Sequence, residues 1–449
     1  MSRLSAARGI PRIRPYLAPA PAGFVVPHAG LIYSGAVAAA AFRHLAAAQT
    51  ECVVLMGFSH HGAAPGAWIA EVESIRTPLG EVEVDREAAR ALTDGGAFRM
   101  LAEKALCDHS VELQLPLLQR AVPGARVVPV YVSHLDAEGR AAAARHLAQF
   151  IRPGAAIVAS SDLTHYGRSF SFQPFPADQW AAERLEELDN QVIEAASSLS
   201  ATRFLSTLRE TGSTVCGYEP ISLLLETLRA SRNGEIFQET LDYRTSGDIT
   251  GDFTHSVSYG ALGYFPARSF HLGTEDQALL LESARHTLRH YVETGERKPI
   301  PPERVSRALE RRAGAFVTLH SHGELRGCVG RRASAEPLHR AVPSLALAAA
   351  LEDSRFTPVR RGEQGLEVEI SVLSPFKLLA DLGDFRVNEH GALLEAGANH
   401  GLLLPQVATE RNWTAAQFLE ALTRKTGVSR DVYNDPSTRV FAFRAQIIQ

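Results

Sequence analysis

The chain has 449 residues, 45% hydrophobic and 21% charged, a globular composition that is too long for one ordinary core. A net charge of −4 with no block of like charge removes the electrostatic case for nucleic acid or an anionic membrane surface, and no apolar stretch reaches the roughly 18–20 residues of a membrane span. Cys52, Cys107, Cys216 and Cys328 lie far apart and show none of the paired spacings of a zinc ribbon or a disulfide scaffold.

The N-terminus carries Arg3, Arg8, Arg12 and Arg14 without an acid, yet Pro11, Pro15, Pro19 and Pro21 interrupt it. It lacks the apolar core of a secretory signal and reads as a surface arm on a cytoplasmic protein. Strand-like runs then alternate with helical ones. Phe24–Val26 precedes an Ala-rich helix over Ala36–Ala48, and Cys52–Gly57 precedes a helix over Asp85–Leu92. A helix over Ser110–Ala121 leads to a strand over Arg126–Val132, and a helix over Glu138–Phe150 leads to Ala155–Ala159. Continuous short apolar runs of this kind fit a mostly parallel sheet covered by helices on both faces. Helices follow at Ala177–Ser198, Ala201–Arg209 and Pro220–Ala230, and Ser256–Tyr264 reads as a closing strand.

The pattern breaks at Ala267–Gly273 and restarts with a helix over Asp276–Thr294, which divides the chain into domains 1–267 and 274–449. In the second domain, strands at Ala315–His320 and Leu325–Gly330 flank a hairpin turn at Ser321–Glu324. Further strands fall at Val368–Leu373 and Val440–Ile448. Helices fall at Pro337–Leu351 and at Ala415–Thr426, the latter capped by Thr414. The mixture is a smaller α+β domain.

Three strands of the first domain run straight into polar clusters: His28-Ala29-Gly30, Ser59-His60-His61, and Ser160-Ser161-Asp162 with His165. Ligands of open α/β sheets bind outside the carboxyl ends of strands, so these clusters point to one pocket. A single histidine at a strand end is commonly a hydrogen-bonded surface or core residue; recurrence after three strands favours a shared site for His28 and His60. His60 and His61, being consecutive, point apart, one into the site and one supporting it. Asp108 to Glu112 opens a helix, with His109 and Glu112 on one face, and reads equally as a capped, acidic first turn. Cys216 precedes a helix, where a thiolate is stabilised by the helix terminus or a metal, although a small buried apolar residue is the commoner fate.

These motifs resemble the Memo family, named for a mediator of cell motility, in the family's order across nearly all of residues 22–265. The resemblance rests on Pro27-His28-Ala29-Gly30, Phe58-Ser59-His60-His61, Asp108-His109-Ser110-Val111-Glu112, Ser160-Ser161-Asp162 with His165, and Cys216-Gly217. The second half resembles the AMMECR domain through Leu325-Arg326-Gly327-Cys328-Val329-Gly330, Asp353-Ser354-Arg355-Phe356 and Leu404-Pro405-Gln406. The combination resembles proteins of the AmmeMemoRadiSam system, which implies a radical-SAM partner. The family resemblance implies a class III extradiol dioxygenase fold and a copper or iron site at His28, His60 and Cys216, with His165 as acid/base. The family's small Gly-Trp/Phe-Tyr motif near the N-terminus is missing here, so the chain starts later than its relatives or one pocket wall is built differently.

A thiolate is a soft ligand that favours copper(I) or zinc and weighs against dioxygenase chemistry. Asp162 could orient His165 or hydrogen-bond a substrate, and Ser160 and Ser161 line the pocket. In the second domain Arg326 could bind a carboxylate or phosphate or form a structural ion pair. Its strand reads as closely approached by a ligand or a packed helix. Cys328 reads as core, and His320 and His322 lack a third ligand. The leading expectation is a metal-dependent oxidoreductase acting on a small-molecule or macromolecular substrate. A non-catalytic ligand- or peptide-binding scaffold and a metal-dependent hydrolase are the alternatives.

Overall fold

The structure is a computed structural model and describes residues 21–449 apart from 63, 103–107 and 232–233. The arginine-bearing arm and Cys107 lie outside the described residues. Two compact units are present. One joins the described residues up to Ser269 with Phe376–Phe443; the other joins Phe270–Pro375 with Arg444–Gln449. The second half of the sequence therefore contributes to both.

In the first unit, β1 (Gly23–Val26) leads to α1 (Leu31–Ala47), and β2 (Cys52–Gly57) to β3 (Gly66–Glu71) and the hairpin β4 (Ser74–Thr77) and β5 (Gly80–Glu83). Then come α2 (Arg86–Thr93), β6 (Phe98–Ala102), α3 (His109–Glu112), α4 (Leu115–Ala121), β7 (Arg126–Ser133), α5 (Ala137–Leu147) and β8 (Ala155–Ser160). After β9 (His165–Gly167) follow α6 (Ala181–Ser197), α7 (Ala201–Thr211), α8 (Tyr218–Ala230), β10 (Ile236–Thr245), α9 (Ser246–Thr250) and β11 (His255–Pro266). The large sheet runs β10-β11-β1-β8-β2-β7-β3-β6, with β9 paired to β11. Its centre, β1-β8-β2-β7, is parallel, and the β10, β11 and β9 margin is antiparallel.

That order places the site. β1, β8 and β2 are parallel neighbours in register, with Val26 opposite Ser160 and Met56 opposite Ala159. The loops carrying His28, His60 and Asp162 therefore leave one edge of the sheet together. The strands themselves are buried throughout, as continuous apolar runs between two helical layers require.

The expected helix over 110–121 is two short helices. Pro116 has no N–H to give the carbonyl of Glu112, so the chain turns at Leu113-Gln114 and restarts with proline in its first turn. Helix α1 begins at Leu31, earlier than its alanines suggest, because Tyr33 N and Ser34 N both donate to the Gly30 carbonyl.

The segment Phe376–Phe443 adds β15 (Lys377–Leu378), β16 (Gly391–Ala396), β17 (Asn399–Leu403), α12 (Gln406–Arg411) and β18 (Arg439–Phe443), with α13 (Ala415–Thr426) packed over the strands through Phe418 and Leu422. Thr414 caps α13 through a reciprocal capping box with Gln417. This segment is bonded into its unit by buried groups: His390 Nε2 lies 2.8 Å from Glu235 Oε1, and Leu378 N donates to Ser197 Oγ at 3.1 Å.

In the second unit, α10 (Thr274–Thr294) and α11 (Leu338–Leu351) cover the antiparallel sheet β13-β12-β14-β19, built from β12 (Ala315–Ser321), β13 (Glu324–Arg331), β14 (Leu366–Leu373) and β19 (Ala445–Ile448). The hairpin closes at the expected turn, Ser321 facing Glu324. The single strand expected over Val440–Ile448 is instead two. Arg444 interrupts it, its N–H donating to Ser374 Oγ and its carbonyl accepting from Ser374 N, both at 2.9 Å, so β18 and β19 serve different sheets.

Candidate metal centre

His28 leaves β1 with its backbone N–H donated to Asp162 Oδ1 at 2.8 Å; Ala29 N donates to the same oxygen at 3.2 Å. One buried carboxylate thus closes the loop after β1 onto the loop after β8. The His28 ring is buried, with Nδ1 3.1 Å from Ser160 Oγ and Nε2 3.4 Å from Cys216 Sγ. Burial lowers its pKa to about 3, aided by charge repulsion from His60 and His109, so at neutral pH the ring is an uncharged donor.

Cys216 is held from the opposite side. Asp162 N donates to Sγ at 3.3 Å, and Gly217 N donates to Ser161 Oγ at 2.8 Å. A Cβ on Gly217 would lie 2.6 Å from both the Ser160 carbonyl oxygen and the Ser161 Cβ, so only glycine lets the sulfur approach the strand end so closely. Burial and then the Asp162 charge push the thiol well above its ordinary range. A bound cation is the agent that would stabilise its thiolate. Asp162 itself is pushed up to about 6 by burial, against the pull of its two backbone hydrogen bonds.

His60 enters from β2. Its N–H and Nδ1 both address Asp108, at 2.8 and 2.9 Å, and His109 Nδ1 lies 3.4 Å from the same carboxylate, whose side chain is 0% exposed. Burial alone would raise Asp108, but N–H donors from Ser110 and His60 outweigh it and leave the carboxyl below its usual range. An ionised carboxylate only accepts, so it fixes the proton of His60 on Nδ1 and leaves the Nε2 lone pair free.

The chain thus presents two overlapping donor clusters, His28–His60–His109 and His28–Asp162–Cys216, the ligand atoms of each within 4.8 Å of one another. His28 belongs to both, whereas His60 and Cys216 fall in different clusters. The donor chemistry (imidazoles, a thiol and a buried carboxylate) fits a transition metal.

His165 stands at the start of β9. Its Nδ1 lies 3.1 Å from the Leu163 carbonyl and 3.2 Å from that of Thr214. Carbonyls only accept, so Nδ1 carries the proton and Nε2 is the basic atom. These two carbonyls, rather than Asp162, orient the ring. Burial lowers its pKa, aided by the nearby His60, and its own ring in turn helps to lower that of His28. His61 and Glu112 are exposed, near enough to influence the charge of His109. Ser160 and Ser161 are buried, Ser160 against His28 and Ser161 against Cys216.

Three residues of this site were not given roles from the sequence. Asp108 had the look of a helix cap, which it also is, accepting from Ser110 N. Gln114, buried at the break between α3 and α4, donates to the Pro27 carbonyl at 2.8 Å and Ser160 Oγ at 3.2 Å. Thr214 Oγ1 accepts from His165 N at 2.8 Å and fixes that loop.

In the second unit, Arg326 forms a two-pronged pair with Glu363 at 2.7 and 3.2 Å and donates to the Thr357 carbonyl. A Cβ on Gly327 would collide with the Ala349 carbonyl of α11, so a packed helix is what approaches this strand. Cys328 is half-buried, its sulfur accepting from Thr318 Oγ1 at 3.3 Å.

A central parallel sheet with imidazoles and a carboxylate at three strand ends, met by a thiol from the loop before α8, defines an α/β protein with a candidate metal site. Residues 10–263 match the family model described as Memo-like protein, and residues 281–448 match that described as AMMECR1. The chain belongs to the Memo family, whose fold is related to that of the extradiol dioxygenases. A MEMO1 family protein of Methanosarcina barkeri is 35% identical over 244 residues, covering 54% of this chain and 85% of that protein. The memo-1 homolog of Caenorhabditis elegans is 31% identical over 246 residues, covering 53% and 70%. Among solved structures, an uncharacterised Pyrococcus horikoshii protein is 34% identical, covers 39% of this chain and 92% of its own, and gives a TM-score of 0.37. No helix among the described residues is long and apolar enough to cross a membrane.

Proposed function

We propose that the chain is a metal-dependent oxidoreductase whose iron or copper ion is anchored by His28, with His60 and Cys216 as further ligands. The observation that carries this reading is the sharing of His28 by two clusters of metal-ligating side chains, with His60 turned by Asp108 so that its Nε2 lone pair is left over. A redox-active metal would supply electron-transfer or dioxygen chemistry. The residues around it supply the rest. His165 accepts or returns a substrate proton at Nε2, because its Nδ1–H is committed to two carbonyls. Asp162 holds the His28 loop in place and presents a carboxyl whose pKa near 6 allows it to exchange a proton. The pairing of Memo and AMMECR1 regions supports a radical-SAM enzyme as the working partner, with a small molecule or macromolecule as substrate.

A second reading, capture of a ligand or peptide without chemistry, draws on Leu31, Ile32 and Tyr33. These apolar residues are 43, 82 and 39% exposed and begin three residues after His28. Elemental analysis followed by oxygen uptake separates the two. His28→Ala should lose bound copper or iron by about a hundredfold or more in affinity, whereas His165→Ala should keep the metal and abolish turnover. Metal-loaded protein with no oxygen uptake in any form would favour capture. Unchanged metal stoichiometry in His28→Ala would sink the site.

A further inference from the structure

A second gathering of charge lies at the edge of the large sheet opposite His28. β10 opens with Ile236 facing Pro266 at the end of β11, and β11 runs antiparallel to β1, with Tyr264 facing Gly23. Ile236 is therefore level with the beginning of β1, the end remote from the ligand-bearing loops. Beside it opens a cavity of about 420 Å³, lined by Arg229, Lys377, Arg386, Glu235 and Asp384.

The two carboxylates are already engaged: Glu235 lies 2.8 Å from His390 Nε2, and Asp384 lies 3.7 Å from Arg229. The cations are less well served. Among the described residues no hydrogen bond reaches the side chains of Arg229, Lys377 or Arg386, and Arg386 meets the exposed Glu389 at 3.9 Å, a pair that water screens. Arg229 has a structural reason for its place, since it stands in the last turn of α8, where a cation offsets the negative end of the helix. No such role falls to Lys377. It belongs to the two-residue strand β15 and is half-buried, and among the described residues no carboxylate lies at ion-pair distance from its ammonium. Burial lowers its pKa, aided by Arg386 and Arg229 and opposed by Glu235 and Asp384. A partly desolvated ammonium without an acceptor is costly, and an anion in the cavity would remove that cost.

We propose that this cavity binds a phosphate monoester whose phosphoryl oxygens are shared between Lys377 and Arg386. Such a group carries about −1.5 to −2 charges at neutral pH, which matches the two cations that the local carboxylates leave uncancelled. The guanidinium supplies a flat fork of donors and the ammonium a point charge with rotatable ones, a combination suited to a tetrahedral oxyanion. The cavity falls within the range of about 300–1,000 Å³ typical of small-molecule sites, so the body of the ester has room beside its phosphate. The site is independent of the metal centre.

The test titrates the full chain calorimetrically, at low ionic strength, with ribose 5-phosphate, inorganic phosphate and malonate. Ribose 5-phosphate should bind, with inorganic phosphate weaker and the flat dicarboxylate malonate weaker still. Lys377→Met, which keeps the apolar stem, should weaken ribose 5-phosphate at least about tenfold. The Arg386 side chain is 61% exposed, so Arg386→Gln leaves the core undisturbed and should give a loss of similar size with an unchanged circular dichroism spectrum. Lysine chemistry adds a readout confined to the site, because the chain has only four lysines among its 46 basic residues, and Lys298 and Lys425 are exposed. Saturating ribose 5-phosphate should slow acetylation of Lys377, followed by mass spectrometry, and leave Lys298 and Lys425 unchanged. Absence of ribose 5-phosphate binding would overturn the proposal, as would wild-type affinity in both variants or protection of all three lysines alike. Malonate binding as tightly as ribose 5-phosphate would also overturn it, by making the ligand a dicarboxylate.

Discussion

Two regions carry polar motifs beside strands, and the two use them in opposite ways. Around β1, β2 and β8 the polar groups position one another through one side only. Asp108 takes the Nδ1 proton of His60 and lies beside Nδ1 of His109, Ser160 meets Nδ1 of His28, and the outward nitrogen of His28 faces the Cys216 sulfur. Around β13 the polar groups consume one another. Arg326 is spent on Glu363 and Thr357, and Asp353 accepts from Cys328 N at 2.8 Å while pairing with Arg355 at 2.7 Å. That pairing with Arg355 holds the Asp353 carboxyl far below the usual range. Donor atoms left over after local hydrogen bonding distinguish a site from a scaffold, and no residue count in the sequence reports them.

The sharpest way to break this comparison is at Asp108. Asp108→Asn keeps the shape of the side chain but can no longer accept from two imidazoles as an anion. Affinity for a nitrogen-preferring ion should fall between about tenfold and a hundredfold, the range typical for groups that orient metal-bound histidines. Isothermal titration with cobalt(II) checks it. Affinity equal to the wild type would mean that the rings are oriented by packing alone, and the contrast with the second unit would lose its chemical basis.

Arg326 tests the other half. The Arg326 and Glu363 side chains are 17 and 22% exposed, so truncation leaves a carboxylate and the Thr357 carbonyl poorly satisfied. Arg326→Ala should cost on the order of 2 kcal/mol, seen as a lower midpoint in urea denaturation, with metal affinity unchanged. A stability equal to the wild type would show that the guanidinium is held ready for an anionic ligand rather than for the fold.

Much of this was legible beforehand for a physical reason. Buried parallel strands are short apolar runs, and the run Cys52–Gly57 is β2 to the residue because both of its faces are covered. The polar residues after β1, β2 and β8 signalled a shared edge because parallel neighbours end on the same side. The antiparallel margin was harder to read. β10, partly solvent-facing, mixes Gln238, Glu239 and Asp242 with its apolar residues and has no single period. The role of Asp108 was hidden because a cap and an orienting carboxylate look identical along the chain. The packing of Phe376–Phe443 onto residues such as Glu235 and Ser197 arises from contacts more than 140 positions apart and leaves no local trace.

His44 offers the smallest but cleanest test, since it is a buried histidine with no orienting partner. It lies inside α1 between Phe24 and Phe265, and neither ring nitrogen has a hydrogen-bond partner. Burial, assisted by the charge of Arg43, lowers its pKa from 6.5 to about 4. The native ring therefore refuses a proton that the unfolded chain accepts below 6.5, so its contribution to stability declines as pH falls from 6.5 toward 4 and is level below that. Replacing it with leucine removes both the unpaired nitrogens and this acid penalty. His44→Leu should be more stable than the wild type by up to about 1 kcal/mol at pH 7.5, with the advantage growing by about 1 kcal/mol at pH 5.5. The other buried histidines are common to both proteins and cancel in the difference between their denaturation curves. A pH-independent difference would show that His44 finds a polar partner in solution, and the rule that an imidazole needs an orienting acceptor to become a ligand would then rest on the metal site alone.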